Sequence, residues 1–183
     1  MTGIFIGSFN PPTLAHSDII KIMKKFFDKL VIVPVNSREK HLVDMNRRVE
    51  MLELLFHNDS LIIIDDLMKD YSYFNYRVID LLKKKYGEIT LIIGSDLLKN
   101  LDKFDNYEYL LSNYQFDVIT REDDAKKIVL EKYYNYFDKF KFIEYHKDIS
   151  STKARNLIKE KKDLSNVLDE KVSLYIKEHH LYF

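Results

Sequence analysis

The chain has 183 residues, 46% of them apolar, and its 29 basic side chains are balanced by 29 acidic ones. This length and apolar share predict one domain spanning residues 1–183 with a substantial core, and they exclude a disordered chain. The balanced charge argues against bulk nucleic-acid binding, which needs a basic surface, and the absence of cysteine excludes a disulfide framework or a thiolate zinc site.

In chain order, an apolar strand is predicted at Gly3–Gly7, running into Gly7-Ser8-Phe9-Asn10-Pro11-Pro12-Thr13-Leu14-Ala15-His16 and a helix over Thr13–Phe27. A strand that feeds a Gly- and Pro-bearing turn at the head of a helix can present backbone N–H groups to a phosphate. His16, in the first helical turn, adds a hydrogen-bond donor or a cation. A second strand, Lys29–Pro34, is followed by Asn36, Ser37, Arg38, Lys40 and His41. Next comes a helix, Asn46–Phe56, which carries Arg47 and Arg48 and buries Val49, Leu52 and Phe56 on one stripe. A strand at Leu61–Ile64, a helix at Tyr73–Tyr86 and a strand at Ile89–Gly94 follow. That strand ends on Gly94-Ser95-Asp96, ahead of short helices at Asp96–Lys99 and Tyr107–Ser112. The strand Gln115–Thr120 leads to Arg121 and Asp123, a helix at Asp124–Tyr136 and a strand at Phe140–Glu144. Helices at Ser151–Lys161 and Ser165–Glu178 close the chain; the pattern does not place the aromatic, lysine-rich stretch Lys126–Lys141.

Short, almost continuously apolar strands alternating with helices predict an α/β fold, a Rossmann-like doubly wound parallel sheet with helices on both faces and a small C-terminal helical part. In such sheets ligands bind beyond the carboxyl ends of the strands. The residues that follow those ends are rich in anion ligands and poor in carboxylates, which suits a polyphosphate better than a protein-held metal. Each element also has a plainer reading: a simple turn capped by Thr13, a surface histidine, solvated charges at Lys40 and Arg47, and a helix cap in Ser150-Ser151-Thr152. Their common edge is what favours the functional reading. No basic segment precedes a long apolar core near residue 1, and no apolar run approaches the roughly 20 residues that span a bilayer. The expected location is the cytoplasm, with no membrane partner.

The first turn resembles the nucleotidyltransferase pattern Gly-x-Phe-x-Pro-(His or Thr)-x-Gly-His, and Ile149-Ser150-Ser151-Thr152-Lys153-Ala154-Arg155 resembles that superfamily's Ile-Ser-Ser-Thr-x-x-Arg motif. Within the superfamily the chain is similar to nicotinate or nicotinamide mononucleotide adenylyltransferases. The similarity runs through Val33-Pro34-Val35-Asn36 with Lys40, Arg48-Val49-Glu50-Met51-Leu52, Ile92-Ile93-Gly94-Ser95-Asp96, Leu101 with Phe104, Tyr175-Ile176 and Leu181-Tyr182. Four positions depart from the pattern. Thr13 replaces the first motif histidine, Ala15 replaces the second glycine, and Phe104 stands where a tryptophan is usual. Ser72-Tyr73-Phe74 only echoes the usual Ser-Tyr-Thr.

The resemblance implies adenylyl transfer from ATP to nicotinate mononucleotide, giving deamido-NAD and pyrophosphate. ATP and a pyridine mononucleotide would be the partners, with Mg2+ arriving on ATP. It assigns His16, Arg155 and Lys40 to catalysis. Gly7, Ser8, Phe9, Thr13, His16, Gly94, Asp96, Ser151, Thr152 and Arg155 would hold ATP. Asn36, Lys40, Arg47, Tyr73 and Phe104 would hold the mononucleotide. Nicotinamide mononucleotide, phosphopantetheine or a cytidylyl acceptor are alternatives, as is a nucleotide sensor without turnover. Monomer and homo-oligomer stay open.

Overall fold

A computed structural model describes residues 1–36, 42–71, 74–120 and 124–183. Its sheet contains β1 (Thr2–Gly7), β2 (Lys29–Pro34), β3 (Ile62–Ile64), β4 (Ile89–Gly94), β5 (Gln115–Thr120) and β6 (Phe140–Glu144), in the order β3-β2-β1-β4-β5-β6. Every pairing is parallel. The chain therefore crosses over between strands through α1 (Leu14–Met23), α2 (Met45–Phe56), α3 (Tyr76–Tyr86), α4 (Ser95–Lys99), α5 (Tyr107–Asn113) and α6 (Asp124–Lys132). Two more helices, α7 (Ser151–Lys159) and α8 (Glu170–Glu178), follow the last strand.

Both sheet faces are covered, which is why the strands read as continuous apolar runs. Ile4, Val31, Val33, Leu91 and Val118 pack with Val78, Ile79 and Leu82 of α3 and Val129 of α6. On the opposite face Phe5, Ile32 and Ile92 meet Ile19, Ile20 and Met23 of α1. Each such side chain contributes about 1.5–3 kcal/mol through burial. A third cluster joins Met51 of α2 to Ala154, Ile158, Val167, Leu168, Val172 and Ile176, which is the small C-terminal helical part.

Five helices are shorter than the sequence pattern suggests, among them α3, which starts at Tyr76, α6, which ends at Lys132 and not Tyr136, and α7, which ends at Lys159 and not Lys161. The first helix ends at Met23, not Phe27, because Lys25 and Phe26 turn back onto the carbonyls of Ile22 and Met23. That tight turn carries Phe27 into the core ahead of β2. The last helix starts at Glu170, not Ser165, where Asp169 accepts from the Lys171 N–H at 2.9 Å. The preceding turn buries Val167 and Leu168, and the Val167 carbonyl accepts from the Leu14 N–H at 3.0 Å. The stretch left unplaced by sequence is α6 followed by a 3-10 turn at Tyr134–Lys139. Its Tyr133 is anchored by a hydroxyl that donates to the Leu98 carbonyl at 3.1 Å. Among the described residues no helix is long and apolar enough to cross a membrane.

Candidate functional site

The central strands β1 and β4 are neighbours whose next partners lie on opposite sides, β2 beyond β1 and β5 beyond β4, so the sheet has its topological switch between them. Phe5 pairs with Ile92, and the two strands reach their carboxyl ends at Gly7 and Gly94. Just past Gly7 the chain folds tightly. Phe9 takes a left-handed backbone (φ 46°), and its ring is fully buried against Phe5 at 5.4 Å and His16 at 4.9 Å. A Cβ on Gly7 would lie 3.0 Å from that ring, so the position favours glycine. The Phe9 side chain is thus packing that sets the angle of the His16 ring, and only its backbone is left to serve a ligand.

Thr13 caps α1 in extended conformation. Its N–H donates to His16 Nδ1 at 2.9 Å, and its hydroxyl lies 2.9 Å from the same nitrogen. A ring nitrogen that accepts a backbone N–H carries no proton, which puts the imidazole hydrogen on Nε2. Thr13 thereby fixes both the orientation and the tautomer of His16, a role that the threonine-for-histidine change in the motif did not suggest.

The second motif meets the first. Ser150 caps α7, accepting from the Lys153 N–H at 3.1 Å, so the plain capping reading is correct for that residue. Ser151 Oγ donates to the Pro11 carbonyl at 2.8 Å, and Arg155 Nη1 donates to the Asn10 carbonyl at 2.7 Å. Arg155 Nη2 also reaches Thr152 Oγ1 at 3.1 Å. Residues 140 and 145 positions apart in the chain are joined in this way.

Arg48, not singled out as a ligand from sequence, underlies the site. It is 0% exposed. Its guanidinium donates to the carbonyls of Ser8 at 2.8 Å, Val35 at 2.9 Å and Val43 at 2.9 Å, and to Asn36 Oδ1 at 2.7 Å. It ties the segment after β1 to the segment after β2. Burial pulls its pKa below the ordinary arginine value. Among the described residues it has no salt-bridge partner, so carbonyl oxygens carry the cost of its buried charge. The signal was present in the helical period: Met45, Arg48 and Leu52 fall on one buried stripe of α2.

The remaining expectations divide. Gly94 caps α4, and an added Cβ there would meet nothing within 4 Å, so the strand end faces open space. Asp96 is exposed in the first turn of α4. Phe104 packs edge-on against Phe74, with ring centroids 6.4 Å apart. The carboxamide oxygen of Asn36 is taken by Arg48. Arg47, expected to hold the mononucleotide, faces α8, donates to Tyr175 Oη at 2.9 Å and pairs with Glu50 at 3.2 Å. Its place on α2, one residue from the buried Arg48, turns it toward the C-terminal helix. Lys40 and Tyr73, with Ser37, Arg38, His41, Arg121 and Asp123, lie outside the described residues.

The edge therefore gathers Gly7, Ser8, Phe9, Thr13, His16, Ser151, Thr152 and Arg155, with Gly94 and Asp96 at the end of the adjacent strand. It offers N–H groups, hydroxyls, an imidazole and a guanidinium. Among the described residues no three His, Cys, Asp or Glu side chains assemble as metal ligands. The donor set fits a polyphosphate that brings its own counter-ion.

Comparison with known proteins shows the family. The family model described as cytidylyltransferase-like matches residues 4–157. The chain is similar to the probable nicotinate-nucleotide adenylyltransferase of Acholeplasma laidlawii, at 32% identity over 100% of this chain and 97% of the relative. It is 30% identical to the protein of the same description from Fusobacterium nucleatum, over 97% of each chain. Among solved structures it resembles Plasmodium falciparum nicotinic acid mononucleotide adenylyltransferase complexed with NaAD. The TM-score is 0.81 and the identity 23%, over 99% of this chain and 96% of the other.

Proposed function

Since the chain belongs to the cytidylyltransferase-like family, and there to the nicotinate-nucleotide adenylyltransferases, we propose that it transfers an adenylyl group from ATP to nicotinate mononucleotide, releasing pyrophosphate. The observation that carries this reading is the clasp between the two motifs, Ser151 on Pro11 and Arg155 on Asn10, beside His16. A triphosphate laid along that clasp would meet the β1–α1 turn at its α-phosphate and the N-terminus of α7 at its β- and γ-phosphates.

The 5′-phosphate oxygen of the mononucleotide attacks the α-phosphorus in line. A new P–O bond forms as the bond to the β-phosphate breaks, and the electron pair leaves with pyrophosphate. The attacking phosphate is already ionised near neutral pH, so no general base is needed. Catalysis then consists of positioning and charge neutralisation. His16 donates from Nε2 to the α-phosphate as charge builds there. Ser151 and Thr152 hold the outer phosphates, and Arg155 stabilises the leaving pyrophosphate. Asp96 takes the ribose hydroxyls, with Gly94 leaving room for the nucleotide. Lys40 adds a phosphate cation, and Phe104 with Tyr73 borders the pyridine ring. Mg2+, carried by ATP, would supply further neutralisation of the phosphate charge. We place the protein in the cytoplasm, with its two charged substrates.

The test is pyrophosphate release from ATP and magnesium with each acceptor in turn. Faster release with nicotinate mononucleotide than with nicotinamide mononucleotide or phosphopantetheine is expected. Release with phosphopantetheine alone would overturn the acceptor, and tight ATP binding without release would overturn the enzyme.

A further inference from the structure

The C-terminal tail enters the phosphate turn through one hydroxyl. Asn10 lies midway along that turn and is 2% exposed. Its Oδ1 accepts from Tyr182 Oη at 2.7 Å and from the Val43 N–H at 3.1 Å, which uses both lone pairs. Its main-chain oxygen is the group that receives Arg155 at 2.7 Å. Residues 43, 155 and 182 thus converge on one buried asparagine, and Asn10 can neither rotate nor shift without breaking a bond to one of them.

The tail reaches Asn10 against its local preferences. His180 (φ 49°) and Tyr182 (φ 69°) both have left-handed backbones, a region in which a side chain larger than glycine's is sterically penalised. The first closes α8, where the Leu181 N–H reaches the Ile176 carbonyl at 3.0 Å. The second turns the phenol inward, where Tyr182 packs with Leu181 against the Met51, Ala154 and Ile176 cluster. Strain of this kind gathers where the surrounding structure needs a particular geometry. Burial pushes the Tyr182 phenol up, although the Arg48 and Arg155 charges pull the other way, so it stays a donor at neutral pH.

The geometry points to Tyr182 as a positioning residue for adenylyl transfer, an inference that rests on the functional reading above. Its hydroxyl fixes Asn10, and Asn10 fixes Arg155 on the leaving-group side of ATP. Tyr182 touches neither substrate in this scheme and acts through Arg155.

Tyr182→Phe keeps the packed ring and removes only the hydroxyl. The expected result, well below the Tm, is roughly three- to tenfold weaker binding of a non-hydrolysable ATP analogue by calorimetry, the effect of losing one buried hydrogen bond. A similar fall in kcat should accompany it, with the mononucleotide KM unchanged. In an Arg155→Ala background the same substitution should cost almost nothing further, because the two act in series. A lower Tm with unchanged analogue affinity and kcat would overturn the inference, and so would an equal loss with and without Arg155. The analogue measurement needs no acceptor, so an error in the acceptor leaves it intact. Native protein that failed to bind the analogue would overturn the functional reading and this inference together, whereas native binding with unaffected variants would overturn the inference alone.

Discussion

Around the phosphate turn, segments far apart in the chain are tied by hydrogen bonds of 2.7–2.8 Å: Ser151 to Pro11, Arg155 to Asn10, Arg48 to Ser8. Among the side chains expected to hold the mononucleotide, the described ones have partners within the protein. Asn36 serves Arg48, Arg47 serves Tyr175 and Glu50, and Phe104 packs on Phe74. On the proposed function, this contrast would reflect how the two substrates are read. A triphosphate is an array of like oxygens, and a rigid set of backbone and short-chain donors at fixed spacing suffices for it. A pyridine ring and its carboxylate need loops from several strands, whose side chains follow no single spacing.

Substitutions on the phosphate side should therefore damage turnover most. His16→Ala removes the donor aimed at the developing charge, and kcat should fall at least about 100-fold, as for loss of one oxyanion-type donor. Affinity for an ATP analogue should change far less, which stopped-flow and calorimetry together would show. Near-normal turnover in a folded variant would take His16 out of the chemistry. Arg155→Ala comes next. It should lower kcat by roughly 10- to 100-fold through loss of a charge-assisted contact to pyrophosphate. The mononucleotide KM should stay close to native, and unchanged steady-state kinetics would remove Arg155 from the site.

The same contrast sets what could be read from sequence. The strands were legible nearly to the residue, because apolar, largely β-branched or aromatic runs stand out between polar turns: Lys29–Pro34, Ile89–Gly94, Gln115–Thr120 and Phe140–Glu144 stand as expected. Legible too was the pairing of the two motifs, since each is a local constellation. Less legible were the residues whose work depends on distant partners. Asn10 looked like a turn residue, and its role appears only when residues 43, 155 and 182 arrive around it. Arg48 and Arg47 are adjacent in sequence, and one helical step sends the first into the core and the second toward α8. A buried arginine on an apolar stripe contradicts the usual sorting of charge to the surface, and only a set of unpaired carbonyls explains it.

Two smaller effects sharpen the boundary between the halves. Gly94→Ala should leave folding intact or slightly stabilise it, because the backbone is extended there (φ −81°) and the new methyl would meet nothing within 4 Å. If the adenosine moiety fills that space, the ATP KM should rise several-fold while the mononucleotide KM stays put. An unchanged ATP KM would move the nucleotide away from the end of β4. Arg47→Ala should matter least. Its guanidinium lies on the exposed flank of α2, where an ion pair with Glu50 adds little, so the expected result is a small loss of Tm and native kinetics with both substrates. A several-fold rise in the mononucleotide KM would instead mean that Arg47 leaves Tyr175 when the acceptor binds. The acceptor side would then be assembled by its ligand, in the way the phosphate side is assembled by Arg48 and Asn10 without one.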